Sequence, residues 1–425
     1  VRTAVALIKV KLLISWLVIA GTVAGPSLVA APLIIDHTAV SAFTNLTALD
    51  VARAKKMWIS YAGESHATAF PLGCRLLSNA EPRFAVSTVT NGPPDGATTN
   101  CLRVNGATWG DVNFTEWRYS YGEEDWYTSD LAVARTKEGI RYCNANISGG
   151  LEVLAFGWCW DMEWHNPAGG GTNTTYWTRW AGSSEGGPDG DQRWGLTAAD
   201  YPLTGNRVCM DTYLQATEEY RRFCSSNGFR TRVIFTTGPA DASGEGGYQE
   251  SVKNQYIRNY VSKTTDGILF DYADILCWDQ NGQKTSTWTD WNNTLRIFPQ
   301  IADDNFLDLD GAPQRDDGDH IGERGALRLA KALWYMLARI AAINETQLRP
   351  VLQVTRTPPD VILIRFMTQP NVTYTLQFNA APTTSAWKNL VTIPSQPSPE
   401  SVFLIDHTSP SNSSGFYRVL AQPVP

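Results

Sequence analysis

In the stretch Trp58–Phe70, WISYAGESHATAF, an apolar run ends on Gly-Glu-Ser-His and a second apolar segment follows at once. A strand leading into a tight turn would set the Ser65 hydroxyl at the strand's C-terminal edge, where open α/β sheets hold their reactive groups. A serine nucleophile needs a base to take its proton, an acid to orient that base, and donors for the oxyanion. The chain has five histidines, so the search for the base is short. His37 lies near the N-terminus and His407 in the last segment, while His165 follows a candidate strand end. His66 adjoins Ser65, so its ring is expected to point away from the hydroxyl. His320 stands in QRDDGDHIGERGALRLAKAL, three residues after Asp317, in a polar loop that feeds an amphipathic helix. In a tight turn that offset lets the carboxylate hold the imidazole in one tautomer. Taken alone, D-x-x-H more often reads as a solvated loop, and Ser65 as a helix N-cap.

The elements that would position these residues follow from apolar patterning. A helix-like segment, TALDVARAKKM, precedes a strand at Met57–Tyr61. Short apolar runs recur at GLEVLAFGWCW, RTRVIFTTG and GILFDYADILCW, each bounded by turn residues as buried parallel strands are. Between them lie helical patterns, CMDTYLQATEEYRRFCSSNG and YQESVKNQYIRNYVSKT. The alternation predicts a doubly wound α/β domain over residues 32–348. Residues 166–206 form a Gly-rich insertion with aromatic punctuation, read as a surface loop, a lid or a substrate rim. The domain closes on a helix whose Leu329, Leu333, Leu337 and Ile340 share one face. From residue 349 to 425 six short strand-like segments separated by Pro, Asn and Ser clusters predict a small all-β sandwich.

Composition narrows the function classes. Hydrophobic residues make up 43% of the chain, enough for a sizeable core, and the net charge of −7 argues against nucleic acid as a partner. Arg2, Lys9 and Lys11 ahead of LLISWLVIAGTVAG predict an export signal over residues 1–31, with membrane attachment if that segment is retained. A secreted destination makes the seven cysteines candidates for disulfides, Cys74 with Cys101 being the preferred pair. Cys209 and Cys224, on one helix roughly 22 Å apart, cannot bridge each other. Asn-x-Ser/Thr sequons at Asn45, Asn113, Asn146, Asn173, Asn292, Asn344, Asn371 and Asn412 are candidate glycosylation sites. Sixteen tryptophans suit stacking on sugar rings as well as core packing. No spacing suggests a metal or a cofactor; the acidic run DLDGAPQRDDGD reads as a solvated loop, and GSSEG at 182–186 lacks the preceding strand that a nucleophile elbow needs.

Two blocks in this order resemble a known family. ISYAGESHA resembles the GDS-type first block of the SGNH (GDSL-like) hydrolases, with Glu64 where Asp is usual, and DDGDHIGERGALRLAKAL resembles their last block. The resemblance spans roughly residues 55–343. It implies a three-layer α/β/α flavodoxin-like fold, with Ser65 as nucleophile, His320 as base and Asp317 as its orienting partner. It further implies an oxyanion hole from the backbone N–H groups of Ser65 and a second-block glycine. Gly96 and Gly106 both fit a G-A-T pattern, with Gly96 preferred on spacing. The third block ordinarily reads G-x-N-D, and the amide of its Asn joins that hole. Here the corresponding strand end reads AFGWCWDMEW, with Gly157 in place and no Asn. Trp158 and Trp160 are expected to line the substrate pocket rather than to replace that donor.

The resulting expectation is a secreted serine esterase acting on a small-molecule or polysaccharide ester, with acetyl as the simplest acyl group. Two alternatives stay open. A non-catalytic surface or binding protein could keep the fold after losing the third-block Asn. A glycoside hydrolase could use paired carboxylates among Asp161, Glu163, Asp271, Asp274 and Asp279, although the strand–helix units are too few for an eight-fold barrel.

Overall fold

The apolar runs of the first three hundred residues become strands of parallel sheet. The computed structural model describes residues 31–63, 65–89, 100–105, 127, 130–146, 150–158, 172–173, 177–179, 210–315, 320–348, 352–357, 361–369, 372–379, 387–396, 400–406 and 416–423. These fall into two units, one running to Ala341 and the other starting at Ala342.

In the first unit the parallel strands are β1 (Leu33–Ile35), β2 (Trp58–Gly63), β3 (Val86–Val89), β4 (Leu102–Asn105), β5 (Val153–Gly157), β6 (Arg232–Val233), β7 (Phe235–Thr236) and β8 (Ile268–Phe270). They pair in the orders β3-β4-β2-β5-β6 and β7-β8-β1. Only Ile234 separates β6 from β7, and its N–H donates to the Leu154 carbonyl at 3.0 Å. The chain therefore passes from one ladder to the next without leaving the sheet.

Both faces of this sheet are buried, as its strand sequences require. Ile59, Tyr61, Val153, Ala155, Ile234, Ile268 and Phe270 enter one core, while Trp58, Leu154, Phe156, Val233, Phe235 and Leu269 enter the other. Residues alternate in direction along each strand, so a strand apolar at every position needs cover on both sides. The helices supplying it are α1 (Ala48–Ala54), α2 (Ala69–Ala80), α3 (Asp130–Asn146), α4 (Met210–Ser226), α5 (Gly244–Val261), α6 (Tyr272–Cys277) and α7 (Glu323–Leu348). α1, α2 and α7 share the first core; α3, α4 and α5 share the second. Thr47 and Asp50 cap α1 reciprocally, each side chain accepting the other's backbone N–H. α2 and α7 approach so closely that a Cβ on Gly73 would lie 1.9 Å from the Ala326 carbonyl oxygen. None of the helices among the described residues is long and apolar enough to cross a membrane.

Three sequence expectations change. The run GILFDYADILCW does not continue as a strand: Asp271 accepts the Asp274 N–H at 3.2 Å and starts α6 immediately after β8. Cys74 and Cys101 are both free thiols. Cys74 lies in α2, turned wholly into the core, and burial pushes its thiol up to about 12. A hairpin that periodicity did not bring out, β9 (Thr285–Thr289) with β10 (Leu295–Pro299), packs beside α5.

The second unit is antiparallel. Its strands are β11 (Gln353–Thr357), β12 (Val361–Met367), β13 (Val372–Asn379), β14 (Lys388–Ile393), β15 (Ser401–Asp406) and β16 (Phe416–Pro423). They form two three-stranded sheets, β11-β12-β15 and β14-β13-β16. Ile364, Phe366 and Leu404 of one meet Val372, Tyr374 and Leu376 of the other in a common core.

Candidate functional site

β2 and β5 end side by side on two glycines, Gly63 and Gly157, which are register partners. Gly63 has φ of 155°, and a Cβ there would lie 2.2 Å from the Gly157 carbonyl oxygen. A Cβ on Gly157 would lie 2.7 Å from that of Ala67. Two bare strand ends thus let the 3-10 turn Ser65–Thr68 settle directly on the sheet before α2 begins. The backbone of Ser65 opens this turn; its side chain, Glu64, Gly96, Gly106, Trp160 and Asp317 lie outside the described residues.

The turn carries His66 inward. Its side chain is 3% exposed, and neither ring nitrogen has a hydrogen-bond partner among the described residues. The ring stacks on that of His320, with centroids 4.6 Å apart and planes inclined by 23°. Its Nε2 lies 3.8 Å from Asp241 Oδ2, and the edge of Tyr272 stands 6.0 Å away. The late loop therefore reaches the strand end that carries Ser65, about 250 residues earlier in the chain.

His320 is exposed and has φ of 64°, a left-handed conformation uncommon outside glycine. The segment behind it is clamped. Gly322 donates its N–H to Asn305 O at 2.9 Å, Arg324 N–H donates to Leu307 O at 3.0 Å, and Ile321 is fully buried. Asp308, itself buried, accepts the Glu323 N–H at the start of α7. The acidic run noted in the sequence serves this junction, because Asp308 and Asp310 both pair with Arg315 and Asp304 pairs with Arg324. Hydrogen bonding from Arg315 holds the Asp310 carboxyl below the usual range.

Below the two rings a narrow crevice is lined by Tyr61, Phe70, Gly157, Trp158, Pro239 and Tyr272. Each comes from, or directly follows, the C-terminal end of a parallel strand, apart from Phe70 in α2. Trp158 lines the wall. Its indole N–H donates to Thr236 O at 3.1 Å, so that proton is not available to an oxyanion. Asn254 of α5 fixes the opposite wall, accepting the Gly238 N–H at 2.9 Å and donating to Pro239 O at 3.1 Å. Thr237 donates its hydroxyl to buried Asp271, which Arg258 grips with two N–H groups at 2.6 and 2.8 Å.

The carboxylates considered for glycoside hydrolysis are otherwise engaged or undescribed. Asp271 is held by Arg258, and Asp274 Oδ2 accepts the His37 N–H at 2.9 Å while pairing with His37 Nδ1 at 2.6 Å. Asp161 and Glu163 lie outside the described residues. Asp36, His37 and Asp274 are the group among the described residues whose potential ligand atoms lie within 4.8 Å of one another. Asp36 is bound to Thr38, and the His37 ring stacks on Trp278 at 4.0 Å, so the trio secures the start of the first helical turn.

Of the candidate glycosylation positions, Asn45, Asn146 and Asn292 are exposed. Asn113, Asn371 and Asn412, with the side chains of Asn173 and Asn344, lie outside the described residues. Sequence reading missed His66 and Asp241 as site residues. The signal for Asp241 was the turn TTGPADASG directly after a buried strand, where acids at sheet edges tend to face a shared crevice.

Comparison of the chain with protein-family models, with curated proteins and with solved structures gives no match in any of the three.

Proposed function

We propose that the first unit is a serine ester hydrolase of the SGNH type. The observation that carries the reading is the stacking of His320 on His66, beside the turn that begins with Ser65. Strand order supports the same reading. With β6 and β7 taken as one strand, β4-β2-β5-β6/β7-β8 runs 2-1-3-4-5 in order of appearance, the flavodoxin-like order, flanked by β3 and β1. The β2/β5 boundary is the switch point of that order, and Ser65 follows β2.

In the proposed reaction the Ser65 hydroxyl attacks the ester carbonyl while His320 takes its proton, with Asp317 orienting the imidazole. The imidazolium then protonates the departing alcohol, and water repeats the sequence to release the acid. Backbone N–H groups at Ser65 and Gly96 hold the oxyanion. Closely packed Tyr61, Phe70 and Tyr272 leave little room under the rings, which favours a short acyl group such as acetyl. A protein exported by the leader of residues 1–31 would meet acylated glycans outside the cell.

The competing reading is a non-catalytic protein on the same scaffold, favoured by the third-block position, where the Trp158 N–H is committed to Thr236. Hydrolysis of p-nitrophenyl acetate by wild type and by Ser65→Ala separates the two. Turnover lost in the variant supports the esterase. Absence of turnover, together with failure of a fluorophosphonate to label Ser65 in folded wild type, sinks it.

A further inference from the structure

Among the described residues of the first unit, three tryptophans outside the cores gather at one place. Trp291 sits in the turn of the β9–β10 hairpin, Trp288 at the end of β9, and Trp177 beside the short strand Thr178–Arg179. Trp288 meets Trp291 edge-on, with centroids 5.1 Å apart and planes at 81°, and Trp177 lies 6.1 Å from Trp291 at 39°. Tyr248 of α5 backs Trp288 at 5.6 Å.

Trp291 is 38% exposed, and the turn holding it is built to keep it there. Asp290, with its carboxylate buried, accepts the N–H groups of Asn292 and Thr294 at 2.8 and 2.9 Å and pairs with Arg296 at 2.6 Å. Asn293 takes the left-handed conformation that closes the turn, and Trp177 does so as well, with φ of 54°. For a bulky side chain that conformation is an outlier and carries strain, which proteins retain mostly where it serves a site.

We infer that these three indoles form a shelf for a ring of a neutral polysaccharide. A pyranose has an apolar C–H face and a polar rim, and the shelf matches both: indole surface flanked by the exposed amides Asn292 and Asn293. At the hairpin turn, Arg296 is paired with Asp290, which neutralises its charge. The hairpin leaves the shelf directly onto the loop that carries Asp241. Gln300 donates to Asp241 O and Ala242 O at 3.3 and 3.0 Å, and Ile301 N–H to Ala240 O at 2.8 Å. Shelf and crevice thus share one frame. The inference rests on the esterase reading for its meaning, since it makes a glycan the alcohol side of the ester, but its binding test does not.

The experiment titrates the full chain, made in a host that adds no N-glycans, with cellohexaose, xylohexaose and N-acetylchitohexaose, following tryptophan emission and heat. At least one hexasaccharide is expected to bind with a dissociation constant below about 1 mM. Trp291→Ala is expected to weaken binding by about tenfold or more, and Trp291→Phe, which keeps an aromatic face, to retain most of it. Binding by none of the three overturns the shelf, as does equal binding by Trp291→Ala, or a preference for dodecylphosphocholine micelles over every hexasaccharide. Hydrolysis of p-nitrophenyl acetate is read in the same samples and is expected to be unchanged by either substitution. Binding without hydrolysis and without fluorophosphonate labelling of Ser65 supports the shelf and sinks the esterase reading. Hydrolysis without binding does the reverse.

Discussion

The imidazoles of His66 and His320 lie face to face at 4.6 Å, one buried and the other exposed. With His320 as the proposed base, its removal in His320→Ala should lower kcat for an activated ester by about 10²–10⁴. His66 is expected to act only by supporting that ring. His66→Ala should therefore cost about tenfold, and His66→Phe, which restores a flat surface for stacking, should recover most of it. Steady-state kinetics of the three variants check this. A His66→Phe enzyme as impaired as His320→Ala would mean that His66 itself carries the proton.

Trp158 follows Gly157 at the end of β5, and its N–H is bonded to Thr236 O. Loss of an oxyanion donor typically lowers kcat by about 10²–10³. Trp158→Phe should do less than that, within about tenfold. It should also lower stability by about 0.5–1.5 kcal/mol, because the Thr236 carbonyl loses one of its two side-chain donors and keeps the Tyr213 hydroxyl at 3.4 Å. Kinetics and urea unfolding of this single variant read both effects. A thousandfold drop in kcat with stability unchanged would reverse the assignment.

Gly73 tests the packing of α2 on α7. Alanine is the better helix former by about 1 kcal/mol. Its Cβ, however, would lie 1.9 Å from a backbone oxygen of the neighbouring helix, which cannot move as a side chain end can. Overpacking of this kind costs about 1–3 kcal/mol and is expected to win. Gly73→Ala should lower the thermal midpoint by several degrees, and a raised midpoint would count against the helix–helix geometry.

Glu152 gives a pH signature. Burial raises its carboxyl to about 7, against the opposing influences of the Trp58 N–H it accepts and of nearby Arg103. The folded protein then keeps a proton that the unfolded chain has released between the ordinary carboxylate range and about pH 7. Stability from this group is complete below that window, falls as pH rises through it, and is level above it. The difference is at most about 3 kcal/mol. Urea unfolding at about pH 5 and about pH 8 should show the loss in wild type and not in Glu152→Gln, whose neutral amide can still accept the Trp58 N–H.

The runs 153–156 and 233–235 were legible as buried strands because every position is apolar, and helices on both faces satisfy them. The six segments after residue 349 are set off by Pro, Asn and Ser clusters, and each forms a strand. Val86–Val89 was not legible: its residues are neither wholly apolar nor alternating, and they become a strand by pairing with β4. At Asp271 local chemistry outweighed the apolar run, since a side chain that caps the next turn starts a helix whatever follows it. In the site, Ser65 and His320 stood out through the company they keep in sequence. Asp241 and the inward turn of His66 did not, because both depend on which strand ends lie side by side, a property of the folded sheet.

The first strand of the sheet, β1, pairs with the last, Leu33 aligning with Ile268. Chains grow at about 5–20 residues per second, so β1 would wait on the order of 10–50 s for β8, its partner, to be made. During that interval Ile35, fully enclosed in the finished sheet, has no native cover. Sheet closure is thereby a late event in biosynthesis, and the N-terminal edge is the segment most in need of a chaperone.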